Sequence, residues 1–524
     1  MESTVSAVAD PGAGVNPLVD GADTPPAAPC AVVVFGASGD LTTRKLLPAL
    51  ARLSARRELP GRFAVVGVAR TPWTDEDFRR VARERVPSSD RRRADGGDQA
   101  SWQDLLPAFR YVSGDYDHDE TFERLATTLD EVDRSRGTDG NRLYYLAVPP
   151  AVVPTVIGAL GRRRLNRPTA SASDAFVRIV IEKPYGTDLH SAEDLDRCVH
   201  AVFDESQVFR IDHFLGKETV QNFLALRFAN AVFEPVWNRR YVDSVQITVA
   251  ESEGVGHRSA FYEQTGALRD MVQNHVMQVL SLGLMEPPIS IEPEGIRDEK
   301  VKALRAVRIP NVRDVPEMCV RGQYTEGWVA GHTVPGYVGE PGVAPSSTVE
   351  TYVAVKLFVD NWRWAGVPFY VRTGKRLPKR VSEVAIQFHA APHAPFGPDR
   401  IGGLEPDALV VRIHPDEGLA LIFGTKVPGR GFDVRPVAME FFYGAAFPEG
   451  TPDPYERLLL DALVGDPTLF LRTDEVMQAW RIVAPILEAW AKDDPPIAPY
   501  RAGTWGPVDA DALVARDGRR WRAP

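Results

Sequence analysis

The sequence predicts an α/β chain in two parts: a doubly wound parallel sheet, then a larger α+β region with a mainly antiparallel sheet. Three observations carry this reading. An apolar, β-branched run at residues 31–35 ends in glycine and leads into a helical stretch. Similar runs alternate with helical patterns as far as Glu182. Beyond Asp212 the pattern turns to alternating apolar and polar residues.

Residues 1–29 are rich in Ala, Gly, Pro and Val without a period and would bury too little to offset ordering entropy, so a disordered tail is expected. The strand A-V-V-V-F then ends at Gly36 and is followed by D-L-T-T-R-K-L-L-P-A-L-A-R-L, a helix. A second strand is expected at 63–68, a third at 143–148 after a helix at 121–132, and a fourth at 176–181. The Arg-rich polar stretches 83–100 and 162–174 read as surface loops. In the second part, 244–250, 352–359, 384–388 and 408–414 read as antiparallel strands, and 455–463 and 473–492 as helices. The domains are therefore expected at 30–205 and 206–524, with ligands at the carboxyl ends of the parallel strands.

With 524 residues, 44% hydrophobic and 25% charged, the chain is long enough for two to four domains of roughly 100–200 residues each. Its 71 acidic against 61 basic side chains give a formal charge of -10, so no general attraction to nucleic acid or anionic membrane is expected, and a phosphate ligand would need a local basic cluster. Cys30, Cys198 and Cys319 are far apart and odd in number, fitting neither a disulfide framework nor a zinc site; no metal and a cytoplasmic home are expected. The first 29 residues contain no Lys or Arg, unlike a secretory signal or transit peptide. The most apolar stretch, 143–160, is interrupted by Pro149, Pro150 and Pro154, so no membrane span is expected.

The first turn, G-A-S-G-D-L, lets the backbone turn tightly toward a pyrophosphate at a helix start, although it is not the full G-x-G-x-x-G. The second strand ends in Arg70 and Thr71 where an NAD site usually places an acid; an arginine suits a 2′-phosphate, while the alternative is a solvated surface side chain. E-K-P-Y-G puts Lys183 at a strand end, within reach of both a cofactor and a substrate. In R-I-D-H-F-L-G-K-E, Asp212, His213 and Lys217 gather an acceptor, an imidazole and a cation. In A-L-R-D-M-V-Q-N-H-V-M-Q, read as a helix, Asp270 and His275 are five apart and lie on broadly similar faces; a core histidine is the plainer alternative. No H-E-x-x-H, P-loop, G-x-S-x-G or C-x-x-C occurs. The residues alone point to an NADP-dependent oxidoreductase acting on an anionic substrate.

Together, G-A-S-G-D-L-T-T-R-K-L, E-K-P-Y-G, R-I-D-H-F-L-G-K-E, R-F-A-N, R-D-M-V-Q-N-H and R-T-G-K-R-L resemble the glucose-6-phosphate dehydrogenase family, with W-N-R, G-V-P-F and P-Y-E-R-L-L-L-D in order between and beyond them. The resemblance implies oxidation of the C1 hydroxyl of glucose 6-phosphate to the lactone with reduction of NADP, the first step of the oxidative pentose phosphate pathway. It implies His275 as the general base and Asp212 as the carboxylate that orients it. His213 and Lys217 match phosphate-binding positions, Glu251, Asp270 and Lys375 match sugar-hydroxyl positions, and Arg380 matches a basic position near the substrate. Gly36, Ser38, Gly39, Arg70, Tyr145 and Lys183 match cofactor positions, with Lys183 also between cofactor and sugar and Pro184 at the family's usual cis bond. A homodimer or homotetramer through the large sheet is implied. The sequence departs from the family pattern at Phe214, where Tyr is common, and at Thr42, where Ala is common. The alternatives are an aldose dehydrogenase with a relaxed phosphate requirement and a non-catalytic NADP-binding regulatory paralogue, against which the intact Asp212, His275 and Lys183 argue.

Overall fold

The computed structural model describes residues 27–86, 102–168, 175–393, 395, 405–429, 431–446 and 452–524. The expected tail lies outside them as far as residue 26, as do 87–100 and 169–174 of the two expected loops. At the end of the tail the chain is already packed: Ala27 is buried, and Asn141 Nδ2 donates to Pro29 O at 2.8 Å.

The first sheet contains β1 (Cys30–Phe35), β2 (Phe63–Ala69), β3 (Phe109–Ser113), β4 (Arg142–Leu146), β5 (Val177–Ile181) and β6 (Val208–Ile211). They lie in the order β6-β5-β4-β1-β2-β3, all parallel, and a short strand, Phe470–Leu471, adds antiparallel to β6. β1 and β2 are buried on both faces, which their unbroken Val-rich composition demands. Helices α1 (Leu47–Ala55), α2 (Asp75–Arg85), α3 (Asp119–Arg136), α4 (Val153–Arg162) and α5 (Leu189–His200) lie between the strands in the chain. The strand order turns back between β1 and β4, and a crevice at the carboxyl ends there is where such sheets hold ligands.

Four details differ from expectation. β3 was not anticipated, because F-R-Y-V-S is a short run with a charge as its second residue; it is the sheet edge, where Arg110 reaches Asp75 at 3.0 Å and Tyr111 N donates to the same carboxylate at 2.7 Å. The strand expected third is therefore the fourth, and it stops at Leu146 rather than 148. Arg83 to Arg85, expected in a loop, form the last turn of α2. The boundary expected at 205/206 falls before β6, which belongs to the first sheet. β6 is hidden in the sequence because Arg210 sits inside it; the arginine is 1% exposed and is neutralised by both oxygens of Glu205 at 2.9 Å and by Asp196 at 3.1 Å.

The second sheet has nine strands. They include β7 (Val242–Ala250), β8 (Cys319–Thr325), β11 (Tyr352–Leu357), β12 (Phe369–Gly374), β13 (Val381–Phe388), β14 (Ala408–His414), β15 (Gly418–Lys426) and β16 (Val434–Phe442), with β9 (Gly327–Val329) and β10 (His332–Val334) forming a separate hairpin. The order is β16-β15-β14-β13-β7-β12-β11-β8, completed by Ala498–Arg501. Pairing is antiparallel except for β7 with β12 and β8 with Ala498–Arg501. Helices α6 (Glu218–Phe228), α7 (Pro454–Val464) and α8 (Thr473–Trp490) complete the elements that frame the site. Among the described residues no helix is long and apolar enough to cross a membrane.

Candidate active site

At the carboxyl end of β1 the chain turns through Gly36 at φ +85°, where a Cβ would stand 2.1 Å from Ala147 O; only glycine fits. Gly36 N donates to Val68 O at 2.9 Å and lies 3.0 Å from the Tyr116 hydroxyl, so the turn is held against the end of β2. Thr71 donates to Ser38 Oγ at 2.8 Å, and Gly39 N closes on Gly36 O at 2.9 Å. Arg70, at the same edge, is exposed. The structure thus brings Gly36, Ser38, Gly39 and Arg70 together. Tyr145 is placed differently: its side chain is buried in β4, and its hydroxyl donates to Glu182 Oε1 at 2.6 Å.

Between the two sheets lies a cleft of about 1040 Å³, to which Lys183, His213, Lys217, Glu251, Asp270, His275 and Arg380 all contribute. Its floor is a chain of polar contacts. Asp212 Oδ1 lies 2.5 Å from His275 Nδ1, His275 Nε2 lies 2.7 Å from Lys183 Nζ, and Lys183 Nζ donates to Asp270 Oδ1 at 3.2 Å. Asp212 also accepts from Phe214 N at 2.9 Å. With Asp212 accepting at Nδ1 and the ammonium donating at Nε2, the imidazole is fixed as the neutral Nδ1–H tautomer. Its Nε2 lone pair faces the Lys183 ammonium, which itself lines the cleft.

The electrostatics agree with this assignment. Burial lowers the His275 pKa below its ordinary value, with Asp212 opposing and Lys183 adding to the shift. Burial alone would raise the Asp212 carboxyl, yet His275 and His213 bring it down to about 2. Asp270 is likewise lowered against its burial by Lys183 and Lys375. His213 is held well below the imidazole range by burial, then by His275 and Lys183. Burial also lowers Lys217. Lys375 pairs with Glu251 at 2.6 Å beside the cleft.

His275 stands on Leu268–Val276, a π-helix rather than the expected α-helix. In a π-helix, i→i+5 bonding stacks residues five apart, so Asp270 and His275 come onto one face more closely than α geometry allows. The segment is preceded by Gly266, φ +64°, where the buried Glu350 takes Leu268 N at 3.0 Å and occupies the space a Cβ on the glycine would need. Glu350 was missed in the sequence because nothing local marks an acid 82 residues away as a helix cap. Also overlooked were Arg44, Lys45, Arg258 and Tyr455, which line the cleft. The R-K pair of the first motif was a legible signal for two of them. Phe214 lies flat on His275, ring centroids 4.4 Å apart at 18°, and Lys217 Nζ lies 4.7 Å from the Phe214 ring centroid.

A dinucleotide-type crevice beside a cleft that holds a carboxylate-oriented imidazole and several cations is the arrangement of a nucleotide-dependent oxidoreductase. Models of the glucose-6-phosphate dehydrogenase NAD-binding domain and C-terminal domain match residues 33–222 and 224–522. The chain belongs to the glucose-6-phosphate dehydrogenase family. It is 49% identical to glucose-6-phosphate 1-dehydrogenase 2 of Mycobacterium tuberculosis (strain H37Rv) over 95% of each chain. It is 45% identical to glucose-6-phosphate 1-dehydrogenase of Chlamydia muridarum over 96% of this chain and 98% of that one. Among solved structures it is similar to a glucose-6-phosphate dehydrogenase in complex with its substrate glucose-6-phosphate, with TM-score 0.84 and 32% identity over 95% of this chain and 99% of that one. It is also similar to glucose-6-phosphate 1-dehydrogenase from Mycobacterium avium, with TM-score 0.76 and 38% identity over 94% and 99%.

Proposed function

We propose that this protein oxidises the C1 hydroxyl of glucose 6-phosphate to 6-phosphogluconolactone with reduction of NADP. The observation that carries the reading is the Asp212–His275–Lys183 chain on the floor of a basic cleft. Hydride can leave C1 only as the hydroxyl proton is taken, and His275 Nε2 is the atom placed to take it once the sugar displaces the Lys183 contact. Asp212 holds the tautomer and stabilises the imidazolium that forms. Lys183, shared between His275 and Asp270, fixes the sugar side against the cofactor side. Lys217 and Arg380 supply charge for the sugar phosphate, and His213, neutral in the free protein, supplies a hydrogen bond. Glu251, Asp270 and Lys375 orient the sugar hydroxyls.

The crevice fits NADP: the Gly36 turn leaves room for a close backbone approach, and Arg70 stands at the end of β2 where an acid would select NAD. When bound, the cofactor supplies the hydride acceptor. Gly36, Ser38, Gly39, Arg70 and Lys183 would hold it, whereas the Tyr145 side chain is turned to Glu182. A spectrophotometric assay of glucose or its 6-phosphate with NADP or NAD tests the reading. Turnover is expected to be highest for glucose 6-phosphate with NADP, and absence of turnover with all four pairs would overturn it in favour of a non-catalytic NADP-binding protein.

A second reading, an aldose dehydrogenase with a relaxed phosphate requirement, is favoured by one observation. Phe214 has no hydroxyl to give a phosphate, although its neighbours Lys217 and His213 remain. Phe214→Tyr is expected to lower KM for glucose 6-phosphate several-fold, on the scale of one charge-assisted hydrogen bond of about 1–3 kcal/mol partly replaced by water. KM for glucose and kcat should change little. A shift equal for both sugars would remove this position from phosphate discrimination.

The assembly belongs to the same proposal. At the edge of the second sheet, Val437, Met439 and Phe441 of β16 are 43%, 63% and 38% exposed along one face, opposite Phe423, Leu421 and Leu419 of β15. A second copy covering this face would bury an apolar edge that is otherwise an aggregation site. Sedimentation should give at least a dimer mass, and a monomer at micromolar concentration would exclude it. The free Cys30, Cys198 and Cys319, two of them buried, support a cytoplasmic setting, which cell fractionation tests.

A further inference from the structure

Glu350 stands just ahead of β11, is 5% exposed and is not among the residues that line the cleft. Its carboxylate is nevertheless lodged where the segment that carries His275 begins. Oε1 accepts from Leu268 N at 3.0 Å, and Ala267 N donates to Glu350 O at 3.0 Å, so side chain and backbone grip the same turn. Leu268 N is one of the donors that the first turn of a helix leaves without a partner, and Ala267, at the cap position, offers no side-chain acceptor. The fit is reciprocal. A Cβ on Gly266 would stand 2.3 Å from Glu350 Oε1, so the glycine is what admits the carboxylate.

With i→i+5 bonding, a π segment holds more residues per turn than an α-helix, and it can relax to α geometry only if one of its ends slips along the chain. At its C-terminal end Leu268–Val276 runs directly into the α-helical Met277–Leu284, a segment buried over almost its whole length. At its N-terminal end the pin is Glu350. Two side chains depend on that pin for their place against Lys183, whose Nζ lies 2.7 Å from His275 Nε2 and donates to Asp270 Oδ1 and to the Asp270 carbonyl, both at 3.2 Å. Slippage by one residue would turn Asp270 by about 100° about the helix axis and take it off the face it shares with His275. The next residue serves the facing wall of the cleft: Thr351 O accepts from Lys375 N at 2.9 Å, and Lys375 pairs with Glu251.

We propose that Glu350 is a positioning residue for the oxidation: by pinning Leu268 N beside Gly266, it holds the π register that sets His275 and Asp270 together against Lys183. The proposal rests on the functional reading above and adds to it a residue that lies outside the cleft.

The test is Glu350→Ala, Glu350→Asp and Glu350→Gln, each alone and combined with His275→Asn, with kcat and KM measured for glucose 6-phosphate and NADP and thermal unfolding followed alongside. Glu350→Ala is expected to lower kcat by about tenfold or more, since small misplacements of a catalytic group are enough for that. Burial raises the Glu350 carboxyl pKa, so a neutral amide is a close stand-in, and its oxygen can still accept from Leu268 N. Glu350→Gln should therefore keep kcat within about threefold of wild type, with Glu350→Asp, one methylene short of the contact, between the two. In the His275→Asn background, Glu350→Ala should lower kcat by less than about twofold more, because a residue that acts through the base has no base left to place. A loss caused only by fewer folded molecules would carry over in full. Wild-type kcat in Glu350→Ala, equal damage from Gln and Ala, or a loss that recurs undiminished beside His275→Asn would each overturn the proposal. Should Glu350→Ala fail to fold, Glu350→Asp decides by the same cycle. Failure of the wild-type protein to reduce NADP with glucose 6-phosphate would instead overturn the functional reading, so the two failures are distinguishable.

Discussion

His275→Asn is expected to lower kcat by about 10²- to 10⁴-fold, the usual cost of losing a general base, while KM for glucose 6-phosphate stays within a few-fold. Binding persists because the cations at Lys217 and Arg380 are untouched. Asn is the useful substitution, since its amide can still donate toward Asp212, whose carboxylate is fully buried and would otherwise be left with Phe214 N as its donor. The pH profile supplies an independent check. The His275 pKa is held below the ordinary imidazole value of about 6.5, so the base is neutral above that range and is lost as pH falls through it. The acid limb of kcat/KM should therefore have its midpoint below about 6.5. Asp212 raises the His275 pKa, so Asp212→Asn should move that limb further to acid while slowing turnover. Near-normal kcat in His275→Asn, or an acid limb that His275→Asn leaves in place, would return this residue to a structural role.

What could be read from the sequence divides by range. β1, β2, the helix α7 and the strand β14 were legible because each is a local pattern: a run, an alternation or a cap followed by a period. Asp212, His213, Lys217 and His275 were legible as a constellation because their motifs are short. The π-geometry under His275 was not, since it depends on Gly266 and on Glu350 arriving from a distant segment to cap the turn. β6 was hidden for the same kind of reason. An arginine in a strand reads as solvent-facing, and only the fold brings Glu205 and Asp196 to neutralise it. Tyr455 lay inside a recognised motif, but its place over the sugar cleft is decided by ion pairs to residues some 400 positions earlier. The strand β6 lies beyond the expected boundary at 205/206 because it looks like the start of the next unit until its pairing with β5 is known.

Arg70→Ala is expected to weaken NADP by about 1.5–3 kcal/mol, or roughly 10- to 150-fold in KM, while KM for NAD moves little. Arg70 closes β2 beside the Gly36 turn, whose positive φ and close contact with Ala147 O fix where a dinucleotide's phosphates can approach. A guanidinium there meets a 2′-phosphate with two or more charge-assisted bonds, but it has nothing comparable to offer a 2′-hydroxyl. Because the side chain is exposed, solvent and salt screen part of the attraction, which puts the expected loss toward the lower end of the range. For the same reason the wild-type preference for NADP over NAD should shrink as ionic strength rises, and the Arg70→Ala preference should be nearly insensitive to salt. The substitution leaves the Thr71–Ser38 hydrogen bond and the Gly36 turn in place, so stability should change by less than about 0.5 kcal/mol, as for an exposed position. Equal losses for the two cofactors would mean that Arg70 supports the crevice as a whole rather than reading the 2′-phosphate, and the selectivity would then have to be sought elsewhere at the ends of β1 and β2.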